Sequence, residues 1–121
     1  MPQFMISVWH APGTQQRALG PYDSEEAMHA AFQAVSEFNE SLQAEGAWVF
    51  ACGLTAPEES SVVDGTNGGE PTVTKGPYAE ASAHLGGLWV VEVNVPDQAH
   101  ELAARASAAC GQRVEVRQLQ G

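Results

Sequence analysis

Four side chains that can do polar chemistry fall within ten positions of one another: Lys75, Tyr78, Glu80 and His84. Gly76-Pro77 lies between the first two and reads as a turn, because glycine tolerates unusual backbone angles and proline fixes its own φ. The lysine can hold a ligand carboxylate or pair with Glu80, and the phenol can donate a hydrogen bond. A carboxylate and an imidazole close together are suited to proton transfer. His84 and Glu80 are therefore the expected catalytic residues, and Lys75 and Tyr78 the expected ligand-binding ones. His10, at the end of a first apolar-alternating run, is expected at the same edge and joins the ligand-binding set. The Gly86-Gly87 pair that follows reads as a close backbone approach or a bulge at the head of a packed strand.

The elements that must position these groups are legible in the periodicities. Residues 3–9 alternate with Phe4, Ile6 and Val8 on one face, which predicts a strand. A helix follows, capped by Asp23 or Ser24 and favoured by Glu25 and Glu26 at its positive end. Its apolar stripe is Met28, Phe32, Val35, Phe38 and Leu42, and Gly46 is placed to stop it. Residues 47–52 form a second strand. Residues 60–63 and 71–74 flank a loop rich in Gly, Asn and Asp, the pattern of a hairpin. Residues 88–93 are a very apolar strand. Pro96 opens a second helix whose inner stripe is Ala99, Leu102, Ala103, Ala106 and Cys110, and residues 113–119 close the chain as a strand.

This order, β-α-β, hairpin, β-α-β, predicts an α+β fold: a ferredoxin-like antiparallel sheet with both helices on one face, in a single domain over residues 1–121. Two strands are apolar on both faces. Read by strict alternation, Trp48, Phe50 and Cys52 oppose Val49 and Ala51, and Leu88 and Val90 oppose Trp89 and Val91. The face without helices then needs a cover. A face-to-face homodimer supplies it, with a pocket at the dimer edge lined by Trp48 and Trp89.

Fifteen acidic residues against five basic ones leave a formal net charge of −10, which repels phosphate backbones and anionic membrane surfaces. Nucleic acid and membranes are therefore excluded as expected partners. No apolar run approaches the ~18 residues of a membrane helix. The start, Met1-Pro2-Gln3-Phe4, lacks the features of a signal peptide, so a cytoplasmic location is expected. Cys52 and Cys110 are expected as reduced thiols, outside any metal-ligand or redox spacing. His29 and His100 sit beside helical carboxylates. No phosphate loop, dinucleotide fingerprint or nucleophile elbow occurs, and neither a metal nor a cofactor is expected.

The segment TVTKGPYAE followed by LGGLWVVEV resembles the signature of the YCII-related family, in the branch named for an Asp-Gly-Pro-Phe tetrapeptide (DGPF). The likeness extends over the first strand, Phe38-Asn39-Glu40, residues 49–54 and Val114-Glu115-Val116-Arg117. The resemblance implies a ferredoxin-like subunit that pairs into a dimeric α/β barrel. One characterised line of the family resembles dehydrochlorinases of chlorinated hydroxyquinols, with a histidine midway along the first helix and an aspartate as the proposed pair. This chain has Val35 or Ser36 in that register, with His29 about two turns earlier, and Lys75 and Tyr78 replace the Asp and Phe of the tetrapeptide. Two functions are thus expected to compete. One is a homodimer whose cleft binds a small organic molecule, with cofactor-free acid–base chemistry. The other is a non-catalytic accessory or regulatory module with a protein partner, which genes of this branch neighbouring those of sigma factors would permit.

Overall fold

The interleaving of two split β-α-β halves decides what each helix covers. A computed structural model describes all residues from Met1 to Gly121. Its elements are β1 (Gln3–His10), α1 (Glu25–Ala44), β2 (Trp48–Gly53), β3 (Ser61–Asp64), β4 (Thr72–Lys75), β5 (His84–Glu92), α2 (Pro96–Cys110) and β6 (Val114–Gln118). The main sheet has the order β2-β5-β1-β6, with every neighbouring pair antiparallel. β5 thus lies between β1 and β2, and β1 between β5 and β6. This α+β arrangement is consistent with a ferredoxin-like fold. β3 and β4 pair only with each other, as a separate hairpin.

Both helices bury their apolar stripes on the same face. Phe38 and Leu42 of α1 and Ala99, Leu102, Ala103, Ala106 and Cys110 of α2 share one core with Phe4, Ile6, Val8, Trp89 and Val91. Removing a side chain such as Ile6 or Leu42 fully from water is worth about 1.5–3 kcal/mol. α1 begins where the Ser24 hydroxyl accepts the Ala27 N–H at 3.0 Å. It ends at Gly46, whose φ of 75° lets the Ala47 N–H reach back to the Leu42 carbonyl at 2.9 Å. Phe32 is the exception to the expected stripe. It is 58% exposed and meets the Tyr22 ring edge-on at 6.5 Å. The line of residues that meets the sheet runs through Ala31, Val35, Phe38 and Leu42, and position 32 is rotated about 100° away from it.

Arg105 ties the two helices together. It donates to both carboxylate oxygens of Glu45 (3.1 and 2.9 Å) and to the Ser41 hydroxyl (2.7 Å), and it lies 5.5 Å from the centre of the Phe38 ring.

Two irregularities set the faces of the sheet. The β2–β5 register shifts between Trp48 and Phe50, leaving Val49 as an extra residue. Strict alternation therefore fails in β2. Trp48 and Ala51 both turn toward the helices, and Phe50 and Cys52 turn away. The expected grouping of Trp48 with Phe50 is corrected by this bulge. The inner face then reads in rows: Trp48–Val91–Phe4, Ala51–Trp89–Ile6–Val116 and Gly53–Gly87–Val8–Val114. The outer face reads Phe50–Val90–Met5–Arg117 and Cys52–Leu88–Ser7–Glu115. The second irregularity, between Val8 and Trp9, leaves Gly86 without a partner on β1. Trp9 joins the open face, 41% exposed, and its indole N–H donates to the buried Ser7 hydroxyl at 2.9 Å.

Candidate functional site

Where Gly53 faces Gly87, the inner face of the sheet has two adjacent positions with no side chain. The neighbouring row carries Trp89 and the same row continues with Val8, so the missing volume becomes a cavity rather than closing up. It measures about 280 Å³. Val35 and Asn39 of α1 roof it, Trp48 and Trp89 wall it, Val8 and Ala51 complete the apolar lining, and Cys52 and Leu88 border it. A pocket at the lower end of the usual ligand range, mostly apolar and carrying few polar groups, suits a compact organic molecule.

Trp89 anchors this site to the core. It is buried, packs edge-on against Phe38 at 5.5 Å, and donates its indole N–H to Asn39 Oδ1 at 2.7 Å. Trp48 reaches the cavity only because the Val49 bulge turns it inward. Trp48 and Trp89 are therefore brought together at one cavity. They meet beneath α1, on the helix-covered face of the sheet, and not at an edge of the helix-free face.

The opening cluster is arranged differently. Gly76 (φ 114°) makes the turn, and its N–H is held by the Ser60 carbonyl at 2.7 Å. Lys75 and Glu80 are exposed and form no ion pair with each other. Tyr78 is 92% exposed. Of the four, only His84 is half-buried; it shares a shallow cleft of about 290 Å³ with Tyr78, Pro77 and Ser60. His10 stands directly opposite His84 across β1 and β5, which places it at the predicted edge. The structure thus joins His10 with His84 and Trp48 with Trp89, in two separate places. Lys75 and Glu80 join neither cavity.

The groups with displaced titration have structural causes. Hydrogen bonds from Arg105 hold the Glu45 carboxyl below its ordinary value, and the Thr66 hydroxyl and N–H do the same for Asp64. Burial pushes the Cys110 thiol up. It also raises Tyr22, whose hydroxyl donates to the Cys110 carbonyl at 2.7 Å. No group of three or more His, Cys, Asp or Glu side chains is arranged to hold a metal ion. Neither a carboxylate nor an imidazole borders the cavity beneath α1. Its walls can recognise shape and offer a carboxamide, and they supply no acid–base pair.

Asn39, Gly53 and Gly87 are the site residues that reasoning from chemical types passed over. The available signal was an uncharged polar residue next to Phe38 and four positions after Val35, within the apolar arc of α1.

No helix is long and apolar enough to cross a membrane. Comparison with curated proteins finds no match. The model of the YCII-related domain matches residues 3–120, nearly the whole chain, and the protein belongs to the YCII-related family.

Proposed function

We propose that this YCII-related protein is a homodimeric binding module for a small, largely apolar organic molecule. The carrying observation is the cavity of about 280 Å³ between α1 and the β2–β5 pair, with its two tryptophans, its glycine floor and the Asn39 carboxamide. Acid–base turnover of the bound molecule is outside this reading, because the groups that border the cavity carry no general base. Lys75, Tyr78, Glu80, His84 and His10 then serve the turn and the sheet end, and are not in contact with the ligand. The Lys75-Gly76-Pro77-Tyr78 tetrapeptide supports placement in the Asp-Gly-Pro-Phe branch.

Homodimerisation is supported by the composition of the open face. Phe50, Val90, Met5, Leu88 and Cys52 stand side by side there, and Phe50 is 52% exposed. Helix-free apolar faces of this kind are covered in stable proteins. A second copy, packed face to face, covers both at once and leaves the α1 cavities facing outward on each subunit.

The test is saturable binding of ethylbenzene or a similar small aromatic, followed by tryptophan fluorescence and by thermal shift. Binding that saturates in the wild type and disappears when valine replaces Gly53 supports the reading. Absence of saturable binding to any compact apolar probe sinks it.

A further inference from the structure

We infer that the cavity selects its ligand by a hydrogen-bond acceptor: the occupant is a compact apolar molecule with a carbonyl-type oxygen, held by the amino group of the Asn39 carboxamide. This inference rests on the ligand-binding reading above and names the class of molecule that reading leaves open.

The Asn39 carboxamide can face only one way. An indole N–H can only donate. The Asn39 atom 2.7 Å from Trp89 Nε1 must therefore be the carboxamide oxygen, Oδ1. Trp89 itself is immobilised, buried in the core and packed edge-on against Phe38. The oxygen of Asn39 is thus committed to the protein, and the orientation of the amide follows from it. The amino group, two N–H donors, is directed away from Trp89.

Those donors have no partner in the chain, since the only hydrogen bond of the Asn39 side chain is the one from Trp89. They are not sealed in either. The single buried side-chain polar atom without a partner in the protein is Nε2 of Gln15, far from this site in sequence and on another element. The Asn39 amino group therefore keeps accessible surface, and Asn39 is part of the cavity wall. Around it stand Val35, Trp48, Ala51 and the Gly53–Gly87 floor, none of which offers a side-chain acceptor. The cavity presents a fixed donor in an apolar surround.

A ligand that desolvates that donor without accepting from it leaves a buried polar group unpaired, which is costly. A ligand with a carbonyl oxygen satisfies it. A ligand whose polar group only donates leaves the amino group unpaired, and the Asn39 oxygen is already accepting from Trp89. The site therefore discriminates by the direction of the hydrogen bond as well as by size.

The probes are acetophenone and ethylbenzene, which share a ring and nearly the same size and differ in the carbonyl. Wild-type protein is expected to bind acetophenone roughly five- to tenfold more tightly, the range of one neutral hydrogen bond. In Asn39→Asp the carboxylate still accepts from Trp89 but can no longer donate, so the preference for acetophenone is lost or reversed whatever happens to the absolute affinities. Acetophenone, and not ethylbenzene, is also expected to shift the Asn39 side-chain amide signals in a nitrogen-15 spectrum of the wild type, a readout that needs no variant. Equal wild-type affinities, or a ratio unchanged in Asn39→Asp, overturn the acceptor rule while leaving the cavity a binding site. Failure of both probes to bind overturns the ligand-binding reading itself, and the acceptor rule with it.

Discussion

The imidazole of His10 occupies the space that a side chain at residue 86 would need: a Cβ built on Gly86 overlaps the His10 ring. The relationship follows from the irregularity in the β1–β5 pairing, which leaves Gly86 unpaired and lets the His10 side chain lie across it.

Replacing Gly86 by alanine must displace that ring. The expected cost is about 1–3 kcal/mol, typical of an extra methyl forced into an occupied site. In a His10→Ala background the same change should cost far less, since the clashing atoms are gone. Urea denaturation of the four proteins of this cycle measures the coupling. A Gly86→Ala penalty that is the same in both backgrounds refutes the account.

Gly53 behaves oppositely. A Cβ there would find only the Gly86 carbonyl, at 4.0 Å, and its backbone needs no left-handed angle. Gly53→Val should therefore fold at least as stably as the wild type, helped by the strand preference of valine. It should also fill the cavity floor and reduce ethylbenzene binding by tenfold or more. Retained binding would place the ligand elsewhere.

Much of this architecture is visible in the residue order. The inner stripe of α2, Ala99 to Cys110, is buried at every predicted position, and Ser24 caps α1 as its type suggests. The hairpin lies one residue from where the Gly/Asn loop puts it. The site was harder to read because it depends on things a one-dimensional pattern does not carry. One inserted residue, Val49, reverses the faces of β2, and alternation cannot reveal a bulge whose residues are all apolar. Glycines 53 and 87 are far apart in sequence and make a cavity only when paired. Lys75, Tyr78 and Glu80 are suggestive by type, yet they lie at the end of and just after a hairpin that does not pair with the main sheet, and all three are exposed.

The Arg105–Glu45 pair should give stability a small acid-sensitive component. Glu45 has a folded-state pKa below its ordinary value of 4.5, because Arg105 hydrogen-bonds its carboxylate. A depressed carboxyl contributes above the unfolded pKa and loses that contribution as pH falls through the folded one. The pair is half-exposed, so the increment should be under about 1 kcal/mol and shrink with salt. Melting temperatures of wild type and Glu45→Gln should differ near pH 7 and converge below pH 4. Parallel curves across that range would contradict this.

The two thiols should report the quaternary structure. Cys110 is buried and its thiol is pushed up by burial, so it should resist iodoacetamide at pH 7.5 until the chain unfolds. Cys52 lies in an outer row beside Leu88, on the face proposed to meet a second copy. Mass spectrometry should find it protected in the native protein and labelled when the dimer is split. Equal rates at Cys52 in dimeric and monomeric protein would argue against a face-to-face interface.

Splitting the dimer is the task of Val90→Asp. Val90 stands between Met5 and Phe50 on the outer face, away from the helix-packed core, so a carboxylate there leaves the fold intact and opposes association. Light scattering should give a dimer for the wild type and a monomer for the variant. A monomeric wild type ends the dimer proposal at once.

The extra residue at Val49 has a consequence for solubility as well. β2 is an outermost strand of the sheet, and an unbroken outer strand offers free N–H and C=O groups as a template for stray chains. The bulge interrupts that row and twists it. At the opposite margin, β6 is short and carries Glu115 and Arg117. Sideways growth into fibres is discouraged at both margins, so the proposed face-to-face pairing does not compete with edge-to-edge addition of strands.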